Sequence, residues 1–134
     1  MNQTVPIMRI GTNVLISLQG DLDDSTVVGI ESAIMREVSR DRTTGTLIDV
    51  SGLAMVDSFI ARVIARMAAM TRLLGAETVI VGIQPAVAIT LVEMGVAMAD
   101  LNTALNAEQG MAILHRLLDA GARLPDDAAA PAVR

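Results

Sequence analysis

Residues 7–20, "IMRIGTNVLISLQG", alternate loosely between apolar and polar positions and are rich in isoleucine, valine and leucine. With Gly11, Thr12 and Asn13 as a turn signal, the pattern predicts two short strands paired antiparallel. After Gly20 the period changes: Val27, Val28, Ile30, Ile34, Met35 and Val38 recur at helical spacing, and Asp24 or Ser25 can cap the start. A helix of about four turns follows. The run "GTLIDVSG", bounded by glycines, reads as a strand buried on both faces and therefore central. From Ser58 to Leu74 a stripe of Ile60, Val63, Ile64, Met67, Met70 and Leu74 predicts a second helix, with Arg62 and Arg66 off the stripe and Gly75 as its stop.

Strand and helix alternate again beyond it. "ETVIVGI" predicts another buried strand, and Pro85 occupies a first helical position, opening "PAVAITLVEMG" with Gly95 as the stop. The segment "MADLNTAL" supplies a last short strand, and Met111, Leu114, Leu117 and Leu118 mark a closing helix. The order β-β-α-β-α-β-α-β-α implies an α/β fold, a mixed and mostly parallel sheet with helices packed on it through right-handed crossovers. Residues 1–121 read as a single domain. "ARLPDDAAAPAVR", 122–134, has no period and reads as a mobile C-terminal tail.

Composition narrows the chemistry. The 134 residues are 52% hydrophobic and 19% charged, enough for one core, and the longest apolar stretch is broken by Gly, Pro, Gln, Thr and Glu before it reaches a membrane span. The first residues lack a basic start and an apolar core, so no secretory signal is read and a cytoplasmic location is expected. There is no cysteine, which removes disulfides and thiolate chemistry. All ten basic residues are arginines, which removes Schiff-base chemistry and the P-loop lysine. A formal charge of −5 with one phenylalanine and no tyrosine or tryptophan leaves neither a basic footprint nor stacking platforms, so no nucleic-acid partner is expected.

Few side chains then remain as candidates. His115 is the single histidine, in the last predicted helix and far from Ser58 in sequence, and no nucleophile elbow surrounds Ser58. The balance favours an ordinary histidine over a base for a Ser58 hydrolase. Asp21, Asp23 and Asp24 resemble a cation site on paper, but their spacing is not that of a calcium loop, and helix-start and turn roles suit them better. Asp49 invites comparison with a receiver phospho-acceptor, yet the chain has no lysine to accompany it. The nine methionines read as adaptable core filler. No metal and no cofactor are invoked. Asp57-Ser58 stands where a helix begins: either residue can be a plain cap, and a hydroxyl there can also carry a phosphate beside free N–H groups. Physics alone leaves both open.

The stretches "GDLDD" (20–24), "VDSFIARVI" (56–64), "GIQPAVAITLVEMG" (82–95) and "TALNAEQG" (103–110) together resemble the STAS domain of anti-sigma-factor antagonists, and within it the small stressosome subunits (RsbS-like). The resemblance covers the chain to about Gly121. It implies a non-enzymatic regulator that self-associates and assembles with RsbR-type STAS paralogues. Such a regulator captures a GHKL-type switch serine/threonine kinase (RsbT-like) and is reset by a PP2C-type phosphatase (RsbX-like). The serine of the Asp-Ser motif, Ser58 here, is then the kinase target, with Thr90 a weaker second candidate. Asp23, Asp24, Asp57, Ser58 and Arg62 are the expected partner-binding residues. The alternative within the fold is a simple antagonist that binds an anti-sigma kinase outside a large particle. A Ser58–His115 hydrolase and a lipid- or nucleotide-binding STAS domain are rivals of other kinds.

Overall fold

The structure is a computed structural model that describes residues 6–40, 42–53, 57–95 and 101–129, from 121 onward as backbone only. Five strands form one sheet in chain order: β1 (Ile7–Ile10), β2 (Asn13–Gly20), β3 (Gly45–Leu53), β4 (Glu77–Val81) and β5 (Asn102–Ala104). β1 runs antiparallel to β2, and the remaining neighbours pair parallel. Between them lie α1 (Asp24–Arg40), α2 (Ser58–Leu73) and α3 (Pro85–Glu93), and α4 (Ala107–Ala129) follows β5. Because each parallel neighbour is reached by a crossover of one hand, the first three helices fall on the same face of the sheet. The mixed, mostly parallel architecture expected from the sequence is the one observed.

β3 and β4 show why both faces are needed. Leu47, Val79 and Val81 turn to one side and Ile48, Val50 and Ile80 to the other, and all six are at most 2% exposed. The side of Ile48 holds the larger core, closed by Ile30 and Ile34 of α1, Ile64 and Met67 of α2, and Val87 and Leu91 of α3. The opposite side is closed, among the described residues, by α4 through Leu114 with Met111 and Leu118 beside it. α4 reaches the sheet closely at Gly110, where a Cβ would stand 2.5 Å from Val81 Cγ1 and 2.7 Å from Leu47 Cδ1. No helix among the described residues is long and apolar enough to cross a membrane.

Three details depart from the sequence pattern. Val28, at helical spacing with the buried stripe of α1, is 63% exposed, and Leu74 at the end of α2 is 40% exposed. The α2 stripe ends instead on Thr71, fully buried, whose hydroxyl meets Thr78 of β4 at 2.7 Å and lies 3.0 Å from the Ala68 carbonyl. A threonine pair can take the place of apolar residues here because every polar atom finds a partner. The helical backbone of α4 also continues past Gly121 and through Pro125 to Ala129, where the sequence reading placed a tail from 122. That reading rested on a lost apolar period, which reports burial and not backbone conformation. Residues 130–134 lie outside the described chain.

The helix stops behave as expected. Gly75 has φ +94° and closes a Schellman motif, its N–H donating to the Arg72 carbonyl while the Ala76 N–H donates to that of Thr71. The close approach at Gly110 yields a prediction: Gly110→Ala forces α4 away from β3 and β4 and costs about 1–3 kcal/mol of stability. Thermal or urea denaturation of the two proteins measures it, and an unchanged midpoint contradicts this packing.

Candidate functional site

The parallel topology carries the ends of β2 and β3 to one rim of the sheet, and α1 and α2 start there. At α1 the start is held by Asp23, one residue earlier than the sequence suggested. Its Oδ1 accepts the Thr26 N–H at 2.8 Å and the Ser25 hydroxyl at 3.1 Å, and its carbonyl accepts the Val27 N–H. The correction has a simple cause, since the capping residue must be extended while Asp24 and Ser25 already have helical backbone. The bond from the Thr26 backbone, with those from the Thr26 and Ser25 side chains, holds the Asp23 carboxylate below its ordinary pKa.

At α2 the Asp-Ser pair divides its two roles. Asp57 is extended (φ −133°, ψ −173°), and its Oδ1 accepts the Ile60 N–H at 3.0 Å while its carbonyl accepts the Ala61 N–H. Asp57 is therefore the cap. Ser58 is the first helical residue and is exposed, so the backbone does not require its hydroxyl. Capping of Ile60 leaves the N–H groups of Ser58 and Phe59 as helix-end donors without intrahelical partners. The two starts face a common open depression of about 600 Å³, lined by Leu22, Asp23, Asp24, Ser25, Asp57 and Phe59. The three expected partner-binding carboxylates, Asp23, Asp24 and Asp57, thus line one depression, and Ser58 follows Asp57 in the chain.

A second hollow, of about 280 Å³, continues between α1 and α2 past Val28, Phe59 and Val63. Arg62 lies exposed on it, one turn beyond Ser58. Arg66 sits on the same wall with Nε 3.0 Å from Glu31 Oε2, an ion-pair distance without hydrogen-bond alignment. Sequence reasoning missed Phe59 and Glu31 as parts of this surface. The only signal for Phe59 was its being the sole aromatic residue, and Glu31 looked like any solvated helix position.

The other candidates lie elsewhere. Thr90 is half-buried on α3 and donates its hydroxyl to the Ala86 carbonyl at 2.9 Å. Asp49, on β3, accepts the backbone N–H and the hydroxyl of Ser51 of the same strand at 2.9 and 2.7 Å. Asp21 is exposed and precedes the α1 cap. His115 is exposed on α4, which packs on the opposite face of the sheet from α2, so the sheet separates it from Ser58. His115 is therefore not placed to activate Ser58 as a nucleophile. The Ser58 hydroxyl is exposed at a helix start that Asp57 caps.

A five-stranded mixed sheet with an Asp-Ser helix start at its rim defines a class, and the family model described as "STAS domain" matches residues 5–108. The chain belongs to the STAS family. Within it, the chain is similar to the S58E variant of Moorella thermoacetica RsbS at 32% identity and a TM-score of 0.77, covering 87% of this chain and 99% of that one. It is equally similar in sequence, at 32% identity, to a chain in the molecular architecture of the stressosome, with a TM-score of 0.72 over 84% of this chain and 98% of that one. The RsbT co-antagonist protein RsbRD of Bacillus subtilis (strain 168) is 29% identical over 110 residues, 81% of this chain. The chain spans 40% of the length of that relative. It is a STAS protein related to the RsbS and RsbR regulators.

Two outcomes follow from the caps. Asp57→Ala leaves the Ile60 N–H without its acceptor and lowers stability by about 1 kcal/mol, whereas Ser58→Ala changes it by less than about 0.5 kcal/mol; equal losses in denaturant titrations contradict the division of roles. For Asp23, a pKa depressed in the folded state means that its charge stabilises above the unfolded value, and the contribution is lost as pH falls through the folded value. Asp23→Asn keeps a capping side chain, so its melting temperature falls below wild type at pH 7 and the difference closes below about pH 4. A gap that does not change with pH excludes the charge as its source.

Proposed function

We propose that this chain is a non-enzymatic, cytoplasmic regulatory subunit that binds a GHKL-type switch serine kinase (RsbT-like) through the rim formed by α1 and α2. Phosphorylation of Ser58 releases the kinase, and a PP2C-type phosphatase (RsbX-like) restores the bound state. RsbR-type paralogues are its partners in a larger assembly. The observation that carries the reading is the exposed Ser58 hydroxyl, left unused because Asp57 caps the helix. Relatives support it: one is named for co-antagonism of RsbT, one is solved within the stressosome, and one is solved with glutamate in place of a serine. Thr90 is a weaker target, since its hydroxyl already bonds the preceding turn.

The chemistry suits a switch that leaves the fold standing. The kinase transfers the γ-phosphoryl group of ATP to Ser58 Oγ, ADP departs and the hydroxyl proton is lost. The product adds about −1.5 to −2 charges at pH 7. At the first position of a helix this charge is stabilised by free N–H groups and the helix dipole, so α2 persists. A docked kinase meets the opposite balance, because the new charge adds to Asp23, Asp24 and Asp57 in a contact that excludes water. Two unit charges about 5 Å apart at an effective dielectric of 20 repel by roughly 3 kcal/mol, about a hundredfold in affinity.

Incubation with the cognate kinase and ATP, followed by phosphopeptide mapping, is expected to place the phosphate on Ser58. Undiminished incorporation in Ser58→Ala sinks the assignment. Ser58→Asp, which carries less charge than phosphate, is expected to weaken kinase capture by tenfold to a hundredfold with an unchanged melting temperature. Calorimetric titration of the kinase reads this directly, and equal affinity for both proteins overturns the release mechanism.

A further inference from the structure

We infer that Arg62 is the internal counter-ion of a phosphate on Ser58: once the serine is modified, the guanidinium folds back along α2 onto the phosphate oxygens and holds them. The inference rests on the proposed modification of Ser58 and deepens it, since it names the residue of this chain that receives the new charge.

The spacing of the two residues sets up the contact. Ser58 is the first residue of α2 and Arg62 stands four residues on, so the helix brings both side chains onto one face, about 6 Å apart along its axis. Both are exposed, so the pair forms without disturbing the core. A helical ion pair across four residues is favoured when the anion lies nearer the N-terminus, which is the order here. A phosphoserine offers three acceptor oxygens, and the planar fork of a guanidinium can engage two of them at once.

Among the charged side chains of the rim, Arg62 is the one available. The two hollows beside α2 are lined by two cations, Arg62 and Arg66. Arg66 stands eight residues from Ser58, about 12 Å along the helix, and its Nε is already 3.0 Å from Glu31 Oε2 of α1. Arg62 makes no ion pair and no side-chain hydrogen bond among the described residues. It shares its hollow with Asp24 of α1, a single negative charge on another element. A phosphate carries about twice that charge and sits on the same helix, so only side-chain rotation is needed to close the pair. The other charges beside Ser58 are Asp57, whose Oδ1 accepts the Ile60 N–H, and Asp23, whose Oδ1 accepts the Thr26 N–H. Both repel a phosphate, and neither can release it from Arg62.

The pairing changes the rim in two respects. It replaces an unengaged cation with a phosphate–guanidinium pair of net negative charge, and it ties the first turn of α2 to the second.

Phosphoserine placed at position 58 of the full chain during translation tests this without any kinase, with the phosphate titrated by phosphorus NMR. A guanidinium beside the phosphate favours the doubly charged form and lowers its second pKa, ordinarily near 6. Arg62→Gln is expected to raise that pKa by about half a unit, a threefold change in the protonation equilibrium, and Arg62→Lys by less. Arg66→Gln is expected to leave it within about 0.1 unit, because Arg66 is two turns away. Asp23, Asp24 and Asp57 act alike in all four proteins, so the differences report the arginines. Equal pKa values in wild type and Arg62→Gln, or equal shifts in the Arg62→Gln and Arg66→Gln variants, overturn the inference. An Arg62-dependent pKa with no incorporation at Ser58 by the kinase keeps the pairing while the kinase reading falls, and kinase incorporation at Ser58 with equal pKa values does the reverse.

Discussion

Burial of the two central strands on both faces is the constraint on which the rest of the molecule depends. Leu47 and Ile48 are neighbours in sequence and point in opposite directions, and neither sees water. One layer of helices cannot satisfy both. The chain therefore sends three crossover helices to one face and the terminal helix to the other, and it can bring α4 close only because Gly110 lacks a side chain. Parallel pairing then delivers the starts of α1 and α2 to the same rim, and this places Asp23, Asp24 and Asp57 around one depression.

At that rim a single hydrogen bond decides which residue caps the helix. Asp57 accepts the Ile60 N–H, so the helix start is satisfied without Ser58. A serine used as a cap would have its oxygen committed to the backbone and would lose that bond on modification. As the first helical residue it is exposed, and a phosphate there gains from the helix dipole.

The rim and the outer strand differ in charge. The rim is acidic and lies over the three-helix core, whereas β1 is nearly uncharged, is clamped by Arg9 and Glu37 to the end of α1, and opens beside α4. The Thr71–Thr78 pair ties α2 to β4 away from both.

Much of this architecture was legible in the sequence. Period changes located the strands and helices, and Gly75 and Gly95 marked two stops, because each of these depends on a few adjacent residues. The sequence could not say which of Asp57 and Ser58 capped α2, or that Asp23 capped α1, since the choice turns on backbone angles at single residues. Nor could it show that Thr71 would be buried, that Glu31 and Phe59 would border the site, or that the sheet would stand between His115 and Ser58. Those facts rest on contacts between segments distant in sequence, and only the packed sheet decides them.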